Sequence, residues 1–330
     1  MSPSLSGPLF ALAAFGLYAT HDVVVKVLGA SYAPIQIVFF SVLFSFPLAT
    51  IVLIRDPSAG TLRPVHPWWI ALRTGAVVLT GLSGFYAFSV LPLAQVYAII
   101  FAAPLLVTVL SIPVLGERVG PHRWGAVAVG VLGVLVVLRP GGENLGTGHL
   151  AALLAAFGSA TASVIARRIG REERGVVLMI YPMMVNFALM GALLPQFYQP
   201  MPLIHIGGIA MIAGLGFTAG LLTITAYRLA DAALVAPMHY SQIVWAAAYG
   251  WIFFGERGDA ATWTGAGIVI LSGLYVVLRE ATGKSTVSPV IAGRQRVETG
   301  TSPRVAQALR ARAARVPPGH EALAKRHKPE

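Results

Sequence analysis

Three ionisable residues, His21, Asp22 and Lys26, stand within one apolar run near the N-terminus. A charge inside a membrane-length apolar run is costly, and where one persists it marks a pathway or a partner. Asp22 and Lys26 are four apart, so a helix puts them on one face within reach of each other. Two readings follow. In one they form a local, partly buried ion pair, with Lys26 snorkelling to the interface. In the other, Asp22 or His21 faces a cavity and binds substrate or exchanges a proton. A histidine with an ordinary pKa of about 6.5 changes charge readily near neutral pH.

A second group lies far along the chain, in Met238-His239-Tyr240-Ser241-Gln242-Ile243-Val244-Trp245. On a helix His239, Gln242 and Ala246 share a face, with Trp245 on the adjoining flank. A histidine, an amide and aromatic rings suit a flat solute with hydrogen-bonding edges; the plainer reading is polar glue between helices. Tyr86, Gln95 and Tyr97 are the matching candidates from the first half, read equally as packing glue (Gln95) or interfacial belt residues (Tyr86, Tyr97). Pro104, Pro113, Pro182 and Pro237 are positioned to kink helices. The chain has no cysteine, which excludes thiolate catalysis and Cys-ligated metals. It also lacks His-Glu-x-x-His, a P-loop, a nucleophile elbow and a dinucleotide fingerprint, so no cofactor is implied and any driving force is an ion or solute gradient.

These residues need a scaffold, and composition says which. The chain has 330 residues, 56% of them hydrophobic and 11% charged, with mean hydropathy +0.73; soluble domains carry about 25% charged residues. Lipid is the fitting solvent. A spanning helix takes about 20 apolar residues, and ten stretches qualify: 8–28, 35–54, 69–90, 92–115, 124–138, 149–166, 176–194, 204–227, 233–254 and 263–278. The link Val90-Leu91-Pro92 is so short that its flanking helices must be antiparallel neighbours. Net charge is +11, but the basic residues sit in loops and tail, which fits a cytoplasmic bias and anionic lipid and not nucleic acid. Arg55, Arg63, Arg73, Arg118, Arg123, Arg167, Arg168, Arg171, Arg174 and Arg228 fall on one side, with little beyond Arg139 and Arg257 opposite. That asymmetry puts both termini in the cytoplasm. Residues 279–330 read as a basic, unstructured cytoplasmic tail, with a basic amphipathic helix over 302–316 as the other reading.

The sequence also repeats. Gly116-Glu117-Arg118 precedes Trp124 as Gly255-Glu256-Arg257 precedes Trp263, and the offset is 139 in both. At that offset Ala87, Ala94, Val96, Leu132 and Leu135 meet identical residues. The two Glu-Arg pairs read as local ion pairs fixing a turn, with gating as the other reading. Five helices per copy make the second copy enter the membrane inverted, with a site near the midplane between the halves. The expected fold is an all-α polytopic membrane protein of ten transmembrane helices in two inverted five-helix repeats, over 1–138 and 139–278.

Ten spans, the repeat, and Leu-Gly-Glu-Arg and Phe-Gly-Glu-Arg at the ends of the fourth and ninth helices resemble the drug/metabolite transporter superfamily, EamA type, over residues 8–278. The resemblance implies an inner-membrane carrier with a central cavity lined by the first, third, fourth, sixth, eighth and ninth helices. The stretch Ala19-Thr20-His21-Asp22-Val23-Val24-Val25-Lys26, followed by Gln36-Ile37-Val38-Phe39-Phe40, resembles a proteobacterial branch of riboflavin transporters. Uptake of riboflavin by alternating access is the expectation, in a protein whose partners are a small-molecule substrate and the bilayer, with a homo-oligomer left open. The alternatives are export of amino acids or related metabolites on the same fold, and an intramembrane enzyme using His21, Asp22 and His239.

Overall fold

The computed structural model describes residues 3–54, 61–117, 119–139, 145–170, 172–230 and 232–281. The tail from 282 onward, with its candidate amphipathic helix, lies outside the described residues, as do Arg118 and Arg171. The apolar runs all become helix: α1 (Pro3–Gly29), α2 (Pro34–Ile54), α3 (Pro67–Val90), α4 (Leu93–Ile100), α5 (Ala103–Leu115) and α6 (Pro121–Leu138) form the first repeat. The second contains α7 (Thr147–Ile169), α8 (Gly175–Phe197), α9 (Leu203–Leu229), the single turn α10 (Ala232–Val235), a 3₁₀ segment (Ala236–Tyr240), α11 (Ser241–Phe254) and α12 (Ala260–Ala281). Among the described residues nine stretches are long and apolar enough to cross a bilayer, α4 and α5 counting as one. The fourth and ninth spans depart from the expected continuous helices. The fourth breaks at Phe101-Ala102, just ahead of Pro104, and the ninth passes through the 3₁₀ segment that holds Pro237. Proline has no N–H to donate and its ring clashes with the preceding turn, so the ladder stops there. Pro113 and Pro182, by contrast, sit inside α5 and α8.

Packing obeys the repeat. α1 lies along α9 as α7 lies along α3; α6 packs on α12 and α2 on α8. Exchanging the repeats maps each pairing onto another or onto itself, as a two-fold axis in the membrane plane requires. The fourth and ninth spans end alike, on Gly116 (φ +70°) and Gly255 (φ +64°). A residue with a β-carbon is strained in that left-handed conformation, which is why Gly-Glu-Arg opens with glycine in both copies. At the α6–α12 crossing a β-carbon on Gly265 would stand 2.5 Å from the Gly133 carbonyl oxygen, and one on Gly133 2.9 Å from the Gly265 oxygen. Lipid gives helices no hydrophobic drive to associate, so close backbone approach through small residues holds them.

Polar residues tie the helix ends. Fully buried Gln36 donates to the Gln199 carbonyl at 2.7 Å and accepts the Gln199 N–H at 2.9 Å, pinning α2 to the connection between α8 and α9. Gln36→Leu is expected to cost about 1–3 kcal/mol through the two stranded backbone groups, read as earlier thermal unfolding of the detergent-purified protein. Asp259 caps α12 by accepting the Thr262 N–H at 2.8 Å. Its hydrogen bonds with Thr262, aided by the ion pair with Arg139, hold its carboxyl below the ordinary range.

Candidate functional site

The centre of the bundle holds one polar chain. His21 Nδ1 lies 2.7 Å from Asp22 Oδ1, so the proton sits on Nδ1 when Asp22 is a carboxylate. The Tyr97 hydroxyl donates to Asp22 Oδ2 and accepts a longer hydrogen bond, 3.4 Å, from Gln242 Nε2. Asp22, Tyr97 and Gln242 are 8%, 3% and 6% exposed. Charged and amide groups that dry persist only when mutually satisfied. Three spans meet here: the first supplies His21 and Asp22, the fourth Tyr97 and the ninth Gln242. Tyr97 stands one turn before the break in the fourth span, and Gln242 opens α11 just after the break in the ninth. Interrupted helices bring unpaired backbone and helix ends to the midplane, a setting suited to polar solutes.

Aromatic rings enclose this chain. The Tyr97 ring lies 5.4 Å from Phe88 and 5.7 Å from Phe101. His239 is held between Phe15, at 4.9 Å, and Phe101, at 5.2 Å, with Gln242 beside it. Thr20 meets the Tyr249 hydroxyl at 3.2 Å, a further tie between α1 and α11.

The structure thus brings together His21, Asp22, Tyr97, His239 and Gln242. It puts the other four sequence candidates elsewhere. Lys26 does not pair with Asp22 four residues away; its Nζ lies 2.9 Å from Glu256 Oε1, in the other repeat. Gln95 meets His149 Nε2 at 2.9 Å, between α4 and α7. The Tyr86 hydroxyl meets Thr147 at 2.7 Å, joining the end of α3 to the start of α7. Trp245 packs over Gly16 and beside Tyr249, and is 39% exposed. Glu256 takes Lys26 and not the adjoining Arg257, which corrects one of the local Glu-Arg pairs; Glu117 takes Arg167 on α7, and its local partner Arg118 lies outside the described residues. A cavity of about 420 Å³ lies where α4, α11 and α12 converge, lined among others by Gln95, Ala246, Trp251, Glu256, Arg257 and Trp263. Ala246 is one turn from Gln242 along α11, so this cavity stands above the polar chain on the Glu256 face.

This polar chain lies where spans of both repeats meet, and comparison with known proteins gives the protein a family. The model of the EamA-like transporter family matches residues 5–139 and matches again over 146–279. The chain belongs to this family. An EamA-like protein of this kind is a multi-pass membrane transporter of the drug/metabolite superfamily, not an enzyme, and the intramembrane-enzyme alternative falls. Relatives of the transporter carry different cargo names. It is 26% identical over 242 residues to a riboflavin transporter of Rhizobium johnstonii, covering 73% of this chain and 78% of that one. It is 24% identical over 263 residues to an S-adenosylmethionine uptake transporter of Rickettsia bellii, with coverages of 79% and 90%. It is 26% identical over 270 residues to the pseudopaline exporter CntI of Pseudomonas aeruginosa, with coverages of 81% and 94%. A solved crystal structure matches with a TM-score of 0.56 at 18% identity, over 86% of this chain and 99% of the other, a likeness of fold alone.

Proposed function

We propose that this EamA-like carrier takes up riboflavin by alternating access, binding it between the repeats at Asp22, Tyr97, His239 and Gln242. The observation that carries the reading is the Asp22–Tyr97–Gln242 chain dressed with aromatic rings. Isoalloxazine is flat, apolar on its faces and edged with carbonyls and an N–H. Rings stack on such a faces-and-edges solute, while an amide and a carboxylate answer its edges. The similarity to a named riboflavin transporter points the same way. The face bearing Glu256 is assigned to the periplasm and the face bearing Glu117 to the cytoplasm, on the arginine bias of the loops. His21 and Asp22, hydrogen-bonded to each other and to the binding centre, are the groups assigned to coupling.

One observation favours a second cargo. Asp22 is a carboxylate among aromatic rings, a setting that stabilises a cation, and S-adenosylmethionine joins a sulfonium to a purine. The two cargoes separate in one experiment. A riboflavin auxotroph without its own importer is grown on limiting riboflavin with and without this gene, and labelled S-adenosylmethionine uptake is followed in parallel. Rescue is expected, with His239→Ala and Gln242→Ala each lowering riboflavin uptake about 10-fold at unchanged membrane level, the effect of losing one buried hydrogen bond or ring contact. No rescue, with S-adenosylmethionine accumulating instead, would transfer the site to the sulfonium.

A further inference from the structure

Glu117 and Glu256 stand 139 residues apart, at the same place in the two repeats, and each reaches across to a basic residue of the opposite repeat. The basic residues are themselves equivalents. Lys26 stands three before Gly29 at the end of α1, and Arg167 three before Gly170 at the end of α7. At the Glu256 face the Lys26–Glu256 pair fills the turn between α3 and α4. Lys26 donates to the Leu91 carbonyl at 2.5 Å and to the Phe88 carbonyl at 3.5 Å, while Glu256 Oε2 accepts the Leu93 N–H at 2.9 Å. The cation therefore meets the carbonyl end of one helix and the anion the amide end of the next, each the favoured sign. The two side chains are 12% and 17% exposed. At the other face Arg167 holds Glu117, and the neighbouring Arg168 donates to the Val114 carbonyl near the end of α5.

We propose that these are the two gates of the carrier: Lys26–Glu256 closes one face, Arg167–Glu117 closes the other, and transport breaks them in turn. The inference rests on the alternating-access reading but not on the identity of the cargo. Each pair joins the first span of one repeat to the end of the fourth span of the other, so neither face opens while its pair is made. Both are made here, and Asp22 is buried between them. They are not made equally. Glu256 Oε2 is satisfied by Leu93, whereas Glu117 Oε2 is buried and has no hydrogen-bond partner among the described residues. A half-satisfied carboxylate is the cheaper one to release, so the Glu117 face is the one poised to open from this conformer. Gly250 supports the stronger gate, since a β-carbon there would stand 2.8 Å from Glu256 Oε2.

The cysteine-free chain suits a direct test that needs no substrate. A single reporter, Ala98→Cys, is fully buried beside Tyr97. Membrane-impermeant maleimide is applied from either side, in right-side-out and inverted vesicles. Glu256→Gln, which keeps shape and removes charge, is expected to speed labelling from the Glu256 face about 10-fold, the yield of one lost charge-assisted bond. Glu117→Gln is expected to do so from the other face, by less. Gly250→Ala, which displaces Glu256 without removing it, should act as Glu256→Gln does, and Lys26→Gln, which removes the cation, should do the same. Unchanged labelling in both glutamine variants, or exposure from both faces by either one, overturns the gates. Labelling that switches as described in a protein that carries neither riboflavin nor S-adenosylmethionine leaves the gates standing and removes the cargo reading instead.

Discussion

Asp22→Asn is expected to slow transport about 100-fold while the protein still inserts and purifies as a single species. Asp22 is the acceptor shared by His21 and Tyr97, with one oxygen committed to each. Asparagine keeps the volume but replaces one oxygen with an NH₂, so a donor now faces either the His21 N–H or the Tyr97 hydroxyl. Hydrogen bonds to a charged buried group contribute about 1.5–3 kcal/mol each, and a loss near 3 kcal/mol is about 100-fold in rate or affinity. Tyr97→Phe deletes one link and leaves the carboxylate with His21, so about a 10-fold loss is expected. The measurement is initial uptake of labelled solute into proteoliposomes at matched protein density, with thermal unfolding as the check on the fold. Parental flux through Asp22→Asn would take the centre of transport away from this chain.

The scaffold was legible in the sequence because the bilayer writes a simple rule: each span needs about 20 apolar residues and every loop is short. Gly-Glu-Arg at an offset of 139 marked the repeat, and the structure gives its glycines the same left-handed turn. The polar centre was legible for the same reason that it is rare, since His21 and Asp22, with Lys26, and His239 and Gln242 interrupt runs that otherwise carry no charge or amide. Lys26 shows where such reading stops. Spacing along one helix reveals the neighbour four residues away, and nothing in it reveals a carboxylate 230 residues on. The same limit holds at Glu256, which precedes Arg257 yet pairs with Lys26: adjacency is not pairing. The available signal was the repeat itself, which already aligned the two glutamates and, with two residues more, aligns Lys26 with Arg167.

The helix breaks carry a second lesson. Phe101 and Tyr240 are equivalent positions, and the α-helix of both fourth-type spans is interrupted there. Yet their prolines differ in place, Pro104 following the first break and Pro237 preceding the second. Two unlike local causes give one shape, which means the tertiary arrangement wants the break and the sequence satisfies it twice by different routes. Breaks at matched depth are what set Tyr97 and Gln242 face to face from opposite repeats.

The docking of those repeats makes the last test a matter of sign. Gly265→Leu is expected to destroy the folded carrier, and Gly265→Ala to lower its stability, because the new β-carbon meets the Gly133 carbonyl oxygen at 2.5 Å and Val137 at the same distance. Backbone cannot rotate aside as a side chain does, so α6 and α12 must move apart. Overpacking of this kind costs about 1–3 kcal/mol even where side chains can adjust, and here separation also forfeits the close contacts that hold helices together in lipid. Gly267 is the matched control two residues on in α12, with open space where its β-carbon would be. There alanine removes only the conformational freedom of glycine and should stabilise the helix by up to about 1 kcal/mol. Thermal unfolding and gel filtration of the two alanine variants in one detergent decide the matter. Opposite shifts are expected, and a Gly265→Ala protein as stable as Gly267→Ala would mean that the repeats do not dock through this crossing.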